Sequence, residues 1–157
     1  MIHFFIPGEP VAKARARSTK GGRHYTPNKT VNYENLVAAI AREQMIMREP
    51  TSKAVCLDVV LQFSVPRSWP KWKREAALKN QIAHTSKPDT TNVIKAIEDG
   101  MNGVVWEDDA QSCELHVIEL YSDSPGVLVS VTELEICTSQ VTKLSDFLKQ
   151  NPQRSAA

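Results

Sequence analysis

The chain has few cysteines, no long apolar run and, over two long stretches, no charge of one sign. Only Cys56, Cys113 and Cys137 occur in 157 residues. Three widely spaced thiols fit neither a disulfide framework nor a zinc-ligand spacing. They read as small core residues in a reducing compartment. No apolar run approaches the ~18 residues of a membrane span. Residues 1–7 lack the basic start and long apolar stretch of a signal peptide. A cytoplasmic protein with no membrane partner is expected. The remainder, 41% hydrophobic and 24% charged, suits one domain with its own core.

The missing charges say more. Between Pro10 and Tyr33 there is no Asp or Glu, while Lys13, Arg15, Arg17, Lys20, Arg23 and Lys29 lie there. Residues 96–142 hold no Lys or Arg but ten Asp and Glu. Residues 1–95 hold sixteen Lys and Arg against seven Asp and Glu, so the net charge of +1 hides a basic part and an acidic part. That division suits a metal-dependent nuclease, in which cations hold phosphates and carboxylates hold the metal. The plainer reading of the acidic block is the solvated face of a sheet.

Local patterns set the elements. Residues 2–6 read as a strand and Pro7-Gly8 as a turn. If the following segment is extended, Lys13, Arg15 and Arg17 share one side, and Arg offers phosphate a two-pronged donor. Tyr25 is a candidate for stacking on a base; a solvated loop explains the segment equally well. Residues 28–48 have helical periodicity, with Tyr33, Leu36 or Val37, Ile40 and Met47 as the apolar stripe. Val55, Leu57, Val59, Leu61 and Phe63 alternate as the cleanest strand. Ser68 is a candidate cap for a helix starting near Pro70, whose first turn holds Lys71, Lys73 and Arg74. Trp69 and Trp72 stack on bases or pack under the loop, packing being the commoner fate. Residues 80–86 read as a mobile lead-in. Residues 113–121 and 127–136 read as two strands joined by a hairpin turn, and a polar tail over 138–157 holds a short helix near 141–148.

The centre of the sequence is residues 87–111. Asp89 opens a helix on which Ile94, Ile97 and Met101 form the buried stripe. Asn92, Lys95 and Asp99 share another face. Asn102-Gly103 stops that helix, and residues 104–106 read as a short strand delivering Glu107, Asp108 and Asp109 to a turn. A helix start and a strand end are thus expected to meet and gather carboxylates, as hard divalent cations require. Each piece also has an ordinary explanation: Asp89 as an N-cap, Asp108 and Asp109 as turn residues, Lys95 and Asp99 as a surface pair.

Pro88-Asp89, Asn92, Lys95, Asp99, Asn102-Gly103, Trp106-Glu107-Asp108-Asp109 and Gln111 together resemble the RusA family of Holliday-junction resolvases. The resemblance covers about 25 residues here, with a weaker extension to the basic arm and its Tyr25-Thr26-Pro27 turn. It implies a RusA-like fold, a homodimer, and a magnesium site built from an Asp-x-Asp-Asn-x-x-Lys motif and the second Asp of the later pair. Asp89, Asn92, Lys95 and Asp109 match those positions. Thr91 stands where the motif has its second Asp, so a weaker metal site is expected.

The expected fold is α+β: a single domain over residues 1–137 with a mixed sheet of about four or five strands and helices on one face. The expected function is Mg²⁺-dependent (Mn²⁺ also accepted) cleavage of four-way DNA junctions in phage or prophage recombination and repair. Asp89, Asp108 and Asp109 are the candidate metal ligands. Asp89, Lys95 and Asp109 are the candidate catalytic residues, with Thr91, Asn92 and Asp99 supporting them. Asp99 is expected to hold Lys95 from one turn away. Lys13, Arg15, Arg17, Arg23, Lys71, Lys73 and Lys87 are the candidate DNA contacts. A junction-binding protein that does not cleave, or another metal-dependent phosphohydrolase, are the alternatives.

Overall fold

The computed structural model describes residues 1–15, 17–18, 24–25 and 27–135. Lys20, Arg23, Cys137, the C-terminal tail and the side chains of Arg17 and Tyr25 lie outside the described residues. The fold is α+β, as expected. Four strands form one mixed sheet in the order β1 (Ile2–Pro7), β6 (Gly126–Glu133), β4 (Val55–Ser64), β5 (Ser112–Ser122). β6 runs antiparallel to both neighbours, whereas β4 and β5 are parallel. Two short strands, β2 (Arg17–Ser18) and β3 (His24–Tyr25), pair separately.

Helices α1 (Asn28–Gln44) and α3 (Thr90–Met101) pack on one face of the sheet. The period-2 pattern of β4 decides which face: Val55, Leu57, Val59, Leu61 and Phe63 are all buried there. Phe4, Ile6, Val127, Val129 and Val131 join them from β1 and β6. α3 contributes Val93, Ile94, Ala96, Ile97 and Met101, a wider stripe than the three residues expected. It crosses α1 at Gly100, where a Cβ would come within 2.7 Å of the Val37 side chain. α2 (Lys71–Leu78) sits near the end of β5 and buries only Ala77.

Several local expectations fail for tertiary reasons. α1 stops at Gln44, so Met47 lies beyond it, 99% exposed at φ 65°, and Val37 rather than Leu36 is buried. The helix after Trp69 starts on Pro70 with no side-chain cap, so Ser68 does not serve. Residues 104–106 form a turn, not a strand. Gly103 adopts φ 70°, and the N–H groups of Val104 and Val105 donate to Met101 O, folding the chain back over the end of α3. That fold buries Trp106 completely beside Thr51. The expected hairpin is a crossover: β5 and β6 are separated by β4, and residues 123–125 carry the chain across the end of that strand.

The sheet therefore has two chemically distinct ends. β4 and β5 start together, Val55 opposite Ser112, close to the end of α3 through the Thr51–Trp106–Asn102 contacts. They finish at Ser64 and Ser122, close to the start of α3, where the Thr90 hydroxyl donates to Glu119 of β5.

Candidate active site

Asp89 is the N-cap of α3. Its Oδ1 accepts from the Asn92 N–H at 3.1 Å and from the Thr91 hydroxyl at 2.5 Å. The Thr91 hydroxyl, followed by the Asn92 N–H, holds the Asp89 carboxyl below the usual carboxylate range. An exposed carboxylate kept ionised at a helix start is a suitable first ligand for a hard cation. Thr91 thus touches Asp89 directly, its hydroxyl standing where the resemblance implied a second carboxylate.

Asp108 and Asp109 belong to another turn. Asp108 caps the single 3-10 turn η1 (Asp109–Gln111): its Oδ1 accepts from the Ala110 N–H at 2.9 Å, and its own N–H donates to Gln111 Oε1 at 2.8 Å. Gln111 anchors the turn by donating Nε2 to the carbonyls of Thr51 and Lys53, at 2.7 and 2.8 Å. Asp109 is exposed beside it.

The meeting of helix start and acidic turn does not occur within one chain. Asp89 lies where α3 begins, and the Asp108–Asp109 turn is tied to the region where α3 ends. The twelve residues of α3 span roughly 18 Å. Along β5, Glu119 near Asp89 and Ser112 after Asp109 are roughly 23 Å apart. Two oxygens on one Mg²⁺ lie within about 4 Å of each other, since each bond is about 2 Å. Among the described residues, Asp89, Asp108 and Asp109 are not gathered into a group that could hold one ion.

The remaining candidates divide similarly. Asn92 and Lys95 are exposed on α3, within two turns of Asp89. Lys95 makes no ion pair among the described residues. Asp99 does not hold it; Asp99 instead binds the ammonium of Lys13, which also lies 3.9 Å from Glu34. Burial raises the pKa of Glu34, Lys13 lowers it, and Asp99 raises it again. The Lys13 N–H donates to Asn92 O at 2.8 Å, so the start of the basic arm is strapped onto α3. Lys13 thus neutralises protein carboxylates, while Arg15 is exposed. Lys71 is exposed with Glu75 at 3.9 Å, and Lys73 Nζ lies 3.8 Å from the Trp69 ring centre. Trp69 packs edge-on against Tyr121, whereas Trp72 is 68% exposed. Lys87 lines a cavity of about 650 Å³ together with Lys29, Phe63, His84 and Tyr121.

Sequence reasoning missed His84 and Glu119. Residues 80–86 are not a loose lead-in, because His84 inserts its ring, 3% exposed, against Phe63 at 3.9 Å and places Nδ1 2.6 Å from Glu119. Glu119 also accepts from Thr90, next to Asp89. The single available signal was an acid interrupting the apolar pattern of β5.

Residues 7–132 match the family model described as endodeoxyribonuclease RusA. The chain belongs to the RusA family. It is also 34% identical over 139 residues to the uncharacterized protein YqaN of Bacillus subtilis (strain 168), covering 85% of this chain and 96% of that one. The RusA assignment spans both ends of the sheet, with Asp89 and Asp109 inside the matched region. No helix among the described residues is long and apolar enough to cross a membrane.

Proposed function

We propose that this RusA-family protein is a metal-dependent endonuclease of four-way DNA junctions, acting as a homodimer whose active sites are each shared between two protomers. One observation carries the reading: the matched acidic positions lie at opposite ends of α3. A two-fold axis that sets two chains antiparallel brings Asp89 of one chain to the partner subunit's Asp109, and does so twice. Two equivalent sites suit a substrate that needs two symmetric nicks.

The outer edge of β5 is the proposed contact. It is eleven residues long, pairs only with β4 among the described residues, and exposes Leu115 and Ile118 by 46% and 60%. A long open edge with apolar side chains is a template for a second strand. Asp109 leads into the start of β5, and Thr90, next to Asp89, touches it near its end. Antiparallel pairing of two β5 edges therefore sets the Asp89 end of one chain beside the Asp109 end of the other.

Asp89 and the partner subunit's Asp109 would hold Mg²⁺ or Mn²⁺, with Asp108 adding its free oxygen and Thr91 and Asn92 fixing the Asp89 carboxylate. Such an ion supplies Lewis-acid polarisation of the phosphate and a more acidic water. Lys95 stabilises charge on the phosphate oxygens. Arg15, Lys71, Lys73 and Lys87, together with Arg17 and Arg23, hold the DNA backbone. The resemblance supports recombination and repair of phage or prophage DNA in the cytoplasm, with residues 1–137 as the nuclease domain and 138–157 as a tail. A second reading, junction binding without cleavage, is favoured by Thr91, which offers a hydroxyl where the motif has a carboxylate.

The test is complementation on a synthetic junction. Asp89→Asn and Asp109→Asn chains, each inactive alone, are co-expressed. A shared site regenerates one intact centre per mixed dimer, so nicking returns at roughly a quarter of the parental site number with random pairing. A site within one chain leaves every centre defective, and silence of the mixture overturns the shared site. A parental protein that binds junctions but cuts at no Mg²⁺ or Mn²⁺ concentration supports the binding-only reading.

A further inference from the structure

The face of the sheet opposite the helices carries a second group of metal-binding side chains. Residues 56 and 58 of β4 and 114 and 116 of β5 point to that face, and the parallel register pairs Cys56 with Glu114 and Asp58 with His116. Two residues along a strand and one across it make a small square. Three of the side chains, Cys56, Glu114 and His116, converge within it, and Asp58 lies beside His116. His116 Nδ1 lies 2.9 Å from Asp58 Oδ1 and 3.8 Å from Cys56 Sγ, and Asp58 Oδ2 lies 4.0 Å from the same sulfur. One donor atom each from Cys56, Glu114 and His116 falls within 4.8 Å of the others. The thiol is buried at the base of the square, and the His116 and Asp58 side chains are 66% and 48% exposed at its mouth.

Zinc in a tetrahedral site has bonds of about 2.3 Å to sulfur and about 2.0–2.1 Å to nitrogen and oxygen, which sets neighbouring donors roughly 3.3–3.6 Å apart. The Cys56–His116 separation is within a few tenths of an ångström of that, and Glu114 lies within 4.8 Å of both, so side-chain rotation closes the site. The donor set also differs in kind from the carboxylates of the nuclease site. A thiolate and an imidazole select a borderline transition metal, and Mg²⁺ has little affinity for either.

We propose that Cys56, Glu114 and His116 form a zinc site on the open face of the sheet, with Asp58 at its mouth, separate from the nuclease centre. Binding replaces the Cys56 S–H bond with an S–Zn bond and releases the proton to solvent. The ion ties β4 to the first half of β5, the strand that follows Asp109 by three residues. Its role is to fix that strand, and with it the acidic turn. The linear spacing of cysteines shows no zinc pattern because the ligands are gathered by register between strands far apart in sequence.

The experiment uses the reduced, full-length protein in a Cys113→Ser, Cys137→Ser background, which removes the other two thiols. Co²⁺ is titrated first, then Zn²⁺ in competition, without DNA. The expected result is one Co²⁺ per chain with a sulfur-to-cobalt charge-transfer band, displaced by Zn²⁺ and unaffected by excess Mg²⁺. Cys56→Ser abolishes the band. His116→Ala, an exposed change that leaves the core intact, weakens zinc binding at least about tenfold. Zinc raises the Tm of the parental protein but not of His116→Ala. Absence of stoichiometric binding, a band that survives Cys56→Ser, or unchanged zinc affinity in His116→Ala overturns the site. None of these readouts depends on DNA cleavage, so failure of the nuclease reading leaves them unaffected.

Discussion

Where β4 and β5 finish, Asp89 is accompanied by cations. Lys87 and Lys29 line the cavity beside it, and Arg67 and Arg74 line a groove with Ser64 and Ser122. Where the same strands start, Glu107, Asp108 and Asp109 follow the turn at Trp106, and Lys53 is already paired with Glu133 at 2.9 Å. One end suits a phosphate backbone but offers a single matched carboxylate. The other offers carboxylates with little to hold DNA. The sequence division into basic and acidic parts thus becomes a division in space. In the proposed dimer, each chain brings to the other the end that it lacks.

The largest effect should come from removing either end's acid. Asp89→Asn and Asp109→Asn should each lower junction cleavage by at least about a hundredfold, the scale on which a single charge-stabilising contact acts. Binding without metal should stay equal or tighten, since a negative charge facing phosphate is lost. Gel-shift and nicking assays on the same junction check both. Near-parental cutting by one variant would remove that end from the active site.

Thr91 sharpens the comparison from the Asp89 side. Thr91→Asp should lower the Mg²⁺ needed for half-maximal cleavage by about tenfold, because a neutral oxygen is exchanged for a carboxylate. Unchanged Mg²⁺ dependence would show that the side chain at 91 does not face the ion. Thr91→Val removes the main cause that keeps the Asp89 carboxyl low. Its titration, followed by NMR, should move up toward the ordinary value of about 3.9. In the parental protein the depressed pKa favours the folded state above that ordinary value, and this contribution is lost as pH falls through the lower folded value. Thr91→Val should therefore narrow the acid side of metal binding.

The smallest effects separate the cations. Arg15→Ala or Lys71→Ala should each flatten the plot of log affinity against log salt by about 0.9. Lys13→Ala should barely change it, because Asp99 already holds that ammonium. It should instead cost about 1 kcal/mol of stability in denaturant melts, since Asp99 and Glu34 lose their shared cation. A full salt-slope change for Lys13→Ala would mean that it leaves Asp99 when DNA arrives.

Much of the fold was legible residue by residue. The alternation of Val55 to Phe63, the Asp89 cap and the stop at Asn102-Gly103 all follow from rules acting within a few residues. The family pattern around Asp89 and Asp109 was legible as well, but its geometry was not. A twelve-residue helix between the two acids was readable as a helix, yet where its far end docked depended on Trp106 burying itself beside Thr51. The Ser-Asp-Ser-Pro-Gly segment reads as a hairpin turn between β5 and β6, but the connection is a crossover, because β4 takes the place between them.

The sequence by itself determined the class of elements, the face of β4 that is buried, the acidic and basic partition, and the family. Those are properties of spacing and composition along one chain. Only the tertiary structure decided that Lys13 serves Asp99, that His84 reaches Glu119, that Cys56 faces His116, and that Asp89 and Asp109 stand at opposite ends. Each of these joins segments far apart in the chain, with sequence separations of 86, 35 and 60 for the first three pairs. Such contacts are set by strand order and register, which arise from how the whole core packs and not from any local pattern.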